Sequence, residues 1–358
     1  MSFNIRVLPS EHQFKVEPQE TLLEGALRSG INLNYSCSSG TCGNCMSRLV
    51  EGALGQVDFH DYTIPEHEKC NGKMLLCRAH AASDLIIEAL EANSPGDIPH
   101  QSIATRVSKI ERLGDSRLLI HLRTPRSKTL RFMAGQHVML RLANGMAKDV
   151  SIASCPCNGM VLQFHLHNRG NDPFIRYAFN ELVKSERIRV EGPFGNFILD
   201  DESTRPLIMI ALDGGLAPIK SLIEHAINLE LTQRVRLYWL VSEEDGHYLD
   251  NYCRSWKEGL DDYSYTPLRL PADMPTEKRG AEGLRFIVKE IRDELLELQE
   301  CDLYLAGTEV FISFYRAFFA DEGVPESRIF SAQMRREDRG ESRESLITSK
   351  LDSVIHKP

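Results

Sequence analysis

Four cysteines stand in the pattern Cys37-x4-Cys42-x2-Cys45-x31-Cys77. Three thiols from one loop and a fourth from a distant segment can converge on one small volume. A bridged pair of irons needs that convergence, and a C-x4-C-x2-C run followed by a remote cysteine is the plant-type spacing of a [2Fe-2S] site. Gly40 and Gly43 let the loop fold tightly, and Ser38, Ser39 and Thr41 are small, so peptide N–H groups can point at the sulfurs. Zinc is the rival, but structural zinc sites favour paired short spacings, and no second close pair follows. The expected metal ligands are therefore Cys37, Cys42, Cys45 and Cys77. Such a centre moves electrons singly, at about −400 mV in plant-type examples. It cannot accept a hydride, which constrains every function considered for the chain.

The loop must be held by a small fold of its own. Residues 3–8 and 13–16 alternate like strands, and TLLEGALRSG has helical spacing with Thr21 as N-cap and Gly30 as stop. MSRLVEG reads as a strand, and LLCRAHA and DLIIEAL close this unit near residue 92. NSPGDIPHQ, residues 93–101, carries Pro and Gly without apolar period and reads as a linker. Short strand-like runs then crowd residues 102–202, the spacing of an antiparallel β-barrel, with FIRYAFNELV as one helix. From 203 to 334 apolar strands alternate with helices (PLIMIAL, APIKSLIEHAINLEL, VRLYWLVS, HYLDNYCRSWKEGL, DLYLAG, FISFYRAFFADEG, SRIFSA), which predicts a parallel α/β sheet. Residues 335–358 are charged, short of large apolar side chains, and read as a tail.

The chain has 358 residues, 42% apolar and 26% charged, enough for several cores without disulfide support. Its formal charge of −9 argues against nucleic acid or an anionic membrane surface as partner. The first residues, MSFNIRVLPSEHQFKVEP, lack the apolar stretch of a signal peptide, and no run is long enough to span a bilayer. These features lead to the expectation of a cytoplasmic protein.

The order of ferredoxin unit, barrel and α/β unit resembles the iron–sulfur flavoprotein reductases, the reductases of two-component oxygenases and CDP-glucoseen reductase. Three stretches carry the likeness: AGQHVMLRL (134–142), VEGPFGNF (190–197) and GLAPIKSLIEHA (215–226). The resemblance implies an α+β, β-grasp ferredoxin domain, a FAD-binding-type antiparallel barrel and an NAD(P)-binding-like parallel α/β domain. It also implies a function: NAD(P)H gives a hydride to FAD, which feeds single electrons to the cluster and on to a partner oxygenase, dehydratase or similar redox protein.

Where the family has Arg-x-Tyr-Ser against the flavin, this chain has Lys148-Asp149-Val150-Ser151. Lys148 keeps the charge without the planar fork, and Val150 lacks a ring. The family's Gly-Gly-x-Phe-Ser/Thr stands as Asn171-Asp172-Pro173-Phe174-Ile175, which adds a carboxylate and loses a backbone donor at Pro173. Its Gly-Gly-Thr-Gly nicotinamide loop stands as Leu212-Asp213-Gly214-Gly215, and its Cys-Gly-Pro as Ala306-Gly307-Thr308. The residues carried over as cofactor-binding are Lys148, Ser151, Phe174, Gly214 and Gly215. No catalytic residue is assigned.

Two readings stay open: a reductase that uses FAD and NAD(P)H, or a chain that has lost one or both and serves as a ferredoxin-like carrier or redox-sensing interaction protein, taking electrons from a separate reductase. Remaining signals read as structural. Cys155-Pro-Cys157 is expected as small-residue filler, and Cys70, Cys253 and Cys301 as buried or incidental thiols. His165 and His167 lack a third ligand, and Phe311, Phe314, Tyr315, Phe318 and Phe319 follow helical spacing as core.

Overall fold

The computed structural model describes residues 2–92, 94–125, 128–168, 171–241, 246–270, 276–293 and 297–334. The expected tail lies outside the described residues.

The first unit contains β1 (Phe3–Leu8), β2 (Gln13–Val16), α1 (Leu22–Arg28), β3 (Met46–Glu51), β4 (Leu54–Val57), α2 (Glu66–Cys70), β5 (Lys73–Leu75), β6 (Ala79–Ala81) and β7 (Leu85–Glu88). Its main sheet runs β2-β1-β7-β3-β5, parallel only between β1 and β7, and β4 pairs with β6 alone. Thr21 caps α1 as its residue type dictates: its Oγ1 accepts the Glu24 N–H at 3.2 Å and the Glu24 carboxylate accepts the Thr21 N–H at 2.9 Å. Gly30, at φ +80°, ends the helix. Leu22, Leu23 and Ala26 seat α1 on the Ile5, Val7, Leu85 and Ile87 face of the sheet.

The second unit holds β8 (Gln101–Leu113), β9 (Arg117–Arg123), β10 (His137–Arg141), β11 (Ala147–Ser151), β12 (Val161–His167), α3 (Pro173–Asn180) and β13 (Arg187–Phe194). Its six strands run β11-β10-β13-β8-β9-β12, all antiparallel, in a near-closed barrel. Strict alternation along β12 buries Leu162, Phe164 and Leu166 in the barrel core.

The third unit comprises β14 (Leu207–Leu212), α4 (Leu216–Asn228), β15 (Val235–Val241), α5 (Asp250–Ser255), β16 (Tyr263–Arg269), α6 (Thr276–Asp293), β17 (Asp302–Gly307), α7 (Glu309–Asp321) and β18 (Ile329–Gln333). The sheet order β16-β15-β14-β17-β18 is parallel throughout, and its topological switch lies between β14 and β17. Every residue of β15 is buried, as a central strand covered on both faces requires. The Phe311, Tyr315 and Phe319 stripe of α7 is core, while Phe314 faces outward.

One expectation changes. Cys155 and Cys157 are not filler: they are joined as a disulfide in the turn before β12. Of the remaining cysteines, Cys70 is exposed on α2, which buries none of its side chains, and Cys253 and Cys301 are buried. No described helix is long and apolar enough to cross a membrane.

Candidate redox centre and nucleotide crevices

Tyr35 anchors the start of the cysteine loop by burying its ring in the core of the first unit. Cys37 and Cys42 follow in the open part of the loop, Cys45 lies buried just before β3, and Cys77 follows β5. The structure thus brings all four expected thiols to one place. Cys45 and Cys77 are 3.3 Å apart at Sγ, and the Cys37 and Cys42 thiols interact with each other.

Among the described residues no group of three or more His, Cys, Asp or Glu side chains surrounds a single metal-ion position. Two pairs of thiols are the arrangement that two bridged irons want. The donor set and its division therefore fit the cluster.

Backbone geometry completes the cradle. The N–H groups of Ser39 and Thr41 point at Cys37 Sγ at 3.5 and 3.4 Å, and that of Asn44 at Cys42 Sγ at 3.4 Å. Burial raises the Cys37 thiol, but hydrogen bonds from the Thr41 side chain and the Ser39 and Thr41 backbone outweigh it and bring it down to about 5. The hydrogen bond between Cys45 and Cys77 holds the first down and pushes the second up, as expected when one proton is shared.

Gly40 and Gly43 sit at φ +76° and +78°. A Cβ on Gly40 would stand 2.5 Å from His60 Cβ, and one on Gly43 2.4 Å from the Tyr62 ring. The glycines let the chain fold under these two side chains and over the sulfurs.

The residues carried over for flavin are placed otherwise. Lys148 on β11 does not reach into open space: its Nζ is 2.7 Å from Asp172 Oδ2. Asp172 is also the N-cap of α3, where its Oδ1 accepts the Ile175 N–H at 3.1 Å. Val150 and Phe174 are buried in the barrel core, and Ser151 is 9% exposed. With the cation engaged, one first-turn N–H taken, one missing at Pro173 and no ring on β11, these residues do not fit FAD in the family's manner.

The nicotinamide loop follows β14 at the switch point. Gly215 is needed for packing, since a Cβ there would lie 2.1 Å from the Ala306 carbonyl oxygen of β17. Asp213 is buried at φ +50°, and its carbonyl accepts the Trp239 indole N–H at 3.0 Å. Over Gly214 lies Arg117 from the barrel, 1% exposed, with Nη1 3.7 Å from the position a Cβ would take. Its guanidinium is 5.0 Å from the centre of the Tyr248 ring, and the Tyr248 hydroxyl is 2.9 Å from His165 Nδ1. Burial, and then the cations Lys220 and Arg117, keep His165 well below its usual value and hence neutral. Side chains thus occupy the crevice where a dinucleotide would meet the sheet, and the nicotinamide fit is poor.

Beside this plug Tyr248 also lines a surface cavity of about 500 Å³ with His247, Asp250 and Tyr252. Sequence reasoning did not find Arg117, Trp239 or Tyr248, which no local pattern marks. The Lys148–Asp172 pair did have a signal: opposite charges replacing family residues in two cofactor loops.

Residues 5–82 match the 2Fe-2S iron-sulfur cluster binding domain family, and residues 209–317 the oxidoreductase NAD-binding domain family. A CDP-6-deoxy-L-threo-D-glycero-4-hexulose-3-dehydrase reductase of Yersinia pestis is 29% identical over 92% of this chain and 98% of its own length. The propane 2-monooxygenase reductase component of a Gordonia strain is 26% identical over 90% of this chain and 94% of its own. Among solved structures, Amycolatopsis cytochrome P450 reductase superposes with a TM-score of 0.57 at 22% identity, covering 92% of this chain and 98% of that one. The ferredoxin reductase of carbazole 1,9a-dioxygenase gives 0.55 at 20% identity, with 93% and 98% coverage. At these identities the structural likeness establishes the fold.

Proposed function

We propose that the chain is an iron–sulfur flavoprotein reductase, an electron-transfer protein of the NAD(P)H–FAD–[2Fe-2S] type, and that its working centre is a cluster ligated by Cys37, Cys42, Cys45 and Cys77. The carrying observation is the division of these thiols into two pairs under backbone N–H donors. Bound there, the cluster would supply single-electron storage at low potential. The chain's own part is to shield the Cys45–Cys77 side, to stabilise thiolate charge through Ser39, Thr41 and Asn44, and to present the exposed Thr41–Asn44 edge to a partner.

The acceptor we propose is a protein oxygenase or a dehydratase, since relatives are named as reductases of both. We place this exchange in the cytoplasm. The domain limits proposed are 1–92 for the ferredoxin unit, 93–101 for the linker, 102–202 for the barrel, 203–334 for the α/β unit and 335–358 for the tail.

Anaerobic purification with iron, labile sulfide and flavin counted per chain tests the proposal. Two irons and two sulfides, with an absorbance that bleaches on reduction and recovers when acceptor is added, are expected. Zinc or empty thiols would sink it.

The Lys148–Asp172 contact favours a second reading on its own account: a carrier that receives electrons from a separate reductase. It differs in predicting cluster absorbance without flavin and no oxidation of NADH by artificial acceptors.

A further inference from the structure

A dinucleotide pyrophosphate on this barrel edge would be gripped by a cation on β11 and by first-turn N–H groups at the start of α3. Both groups exist here, and one carboxylate holds both. Asp172 Oδ2 lies 2.7 Å from Lys148 Nζ while Oδ1 accepts the Ile175 N–H at 3.1 Å. The pair is largely shielded, with side-chain exposures of 21% for Lys148 and 18% for Asp172, so water screens it little. Pro173 removes a further donor from the same turn.

We infer that Asp172 is an internal competitor for the phosphate end of a flavin dinucleotide. Its two oxygens stand in for phosphate oxygens, one on the ammonium and one on the helix start. A dinucleotide entering this edge must first displace the carboxylate, which then faces the incoming negative charge. Flavin affinity is therefore set by the Asp172–Lys148 contact as well as by the missing aromatic ring at Val150.

The inference rests on the family reading only for where the flavin edge lies. Its test uses the full-length protein purified anaerobically with its cluster. FAD is titrated by calorimetry into the wild type, Asp172→Asn and Lys148→Ala/Asp172→Asn. Asparagine caps a helix as well as aspartate but carries no charge, so α3 is retained while the charge that draws Lys148 to this cap is removed. The single variant is expected to bind FAD at least tenfold more tightly than the wild type, and the double variant to lose that gain. Equal affinity in the wild type and Asp172→Asn overturns the inference, as does a gain that survives removal of Lys148. If Asp172→Asn fails to fold, Asp172→Ser, also a capping residue, takes its place with the same expected outcomes. Iron and sulfide content, measured alongside, reports on the cluster assignment separately, so failure of one does not pass for failure of the other.

Discussion

Cys45 and Cys77 lie 3.3 Å apart in a buried site, whereas Cys37 and Cys42 stand in the half-exposed loop. A serine hydroxyl is a poorer ligand than a thiolate. Cys42→Ser and Cys77→Ser are each expected to lose most of the cluster, read as iron and labile sulfide per chain; unchanged content would remove these residues from the site. Gly40→Ala should act through the backbone instead. At φ +76° a side chain costs about 1–2 kcal/mol, and its Cβ would meet His60 at 2.5 Å. Slower cluster reconstitution with wild-type ligands present is the expected result, measured by the return of visible absorbance. At this scale the sequence was highly legible, because thiol spacing and glycine placement are local. The companion of Lys148 was harder to see, since Asp172 lies 24 residues away and only the fold brings the two together.

Helix α4 shows what an element-scale pattern does and does not reveal. Its apolar spacing predicts the Leu216, Ile219, Leu222 and Ile223 face that packs on β14. Its polar face turns out to be an interface too. Lys220 is buried, donates to the Ala153 carbonyl at 2.8 Å and to Gln163 Oε1 at 3.2 Å, and pairs with Glu224, while Ser221 donates to the Ser154 carbonyl at 2.7 Å. A lysine on a helix normally reads as solvated, so nothing local announced this contact. Gly215→Ala, which drives a Cβ toward the Ala306 carbonyl, should destabilise by about 1–3 kcal/mol in denaturant titration. His225, on the same helix, is held by burial at about 4, and its Nδ1 finds no hydrogen-bond partner among the described residues. The unfolded ring titrates near 6.5, so the unfolded chain binds the extra proton between these values. Its contribution to stability is complete above about pH 6.5 and is lost as pH falls toward 4, by at most about 3 kcal/mol, a ceiling lowered by the solvent contact the ring retains. His225→Leu should flatten that part of the pH–melting profile; an unaltered slope would assign it elsewhere. Strand β16 was not evident beforehand, because Tyr263–Arg269 is a half-exposed edge strand carrying Pro267 and shows no continuous apolar run.

Across the whole molecule the three units are tied by side chains and not by the linker alone. Arg131 of the barrel is buried, hydrogen-bonds Asn34 Oδ1 and lies 3.5 Å from the Asn32 carbonyl, both in the first unit. Thr129 donates to the Tyr35 hydroxyl at 3.3 Å, and Gly30 packs under His225 and Leu229 of α4. Arg131→Met should cost about 1.5–3 kcal/mol of this docking, the usual worth of hydrogen bonds to a charged group. Faster limited proteolysis at residues 93–101 with undiminished iron content is the expected signature; unchanged cleavage would show that the other contacts suffice. The order of units was legible from strand and helix rhythm, but their mutual seating was not, since even its hydrogen-bonded partners stand 94 to 99 residues apart. The barrel core closes on its own aliphatic and aromatic side chains, from Ile103 to Val190, and the cores of the sheet draw in Ala134, Phe197 and Leu199 of the barrel unit beside their own. Architecture and prosthetic chemistry are thereby uncoupled. Apart from packing positions such as Gly215, substitutions can accumulate in the nucleotide loops of such a chain with little folding penalty to purge them, and the iron-bearing head keeps a sturdy body on which a new errand can evolve.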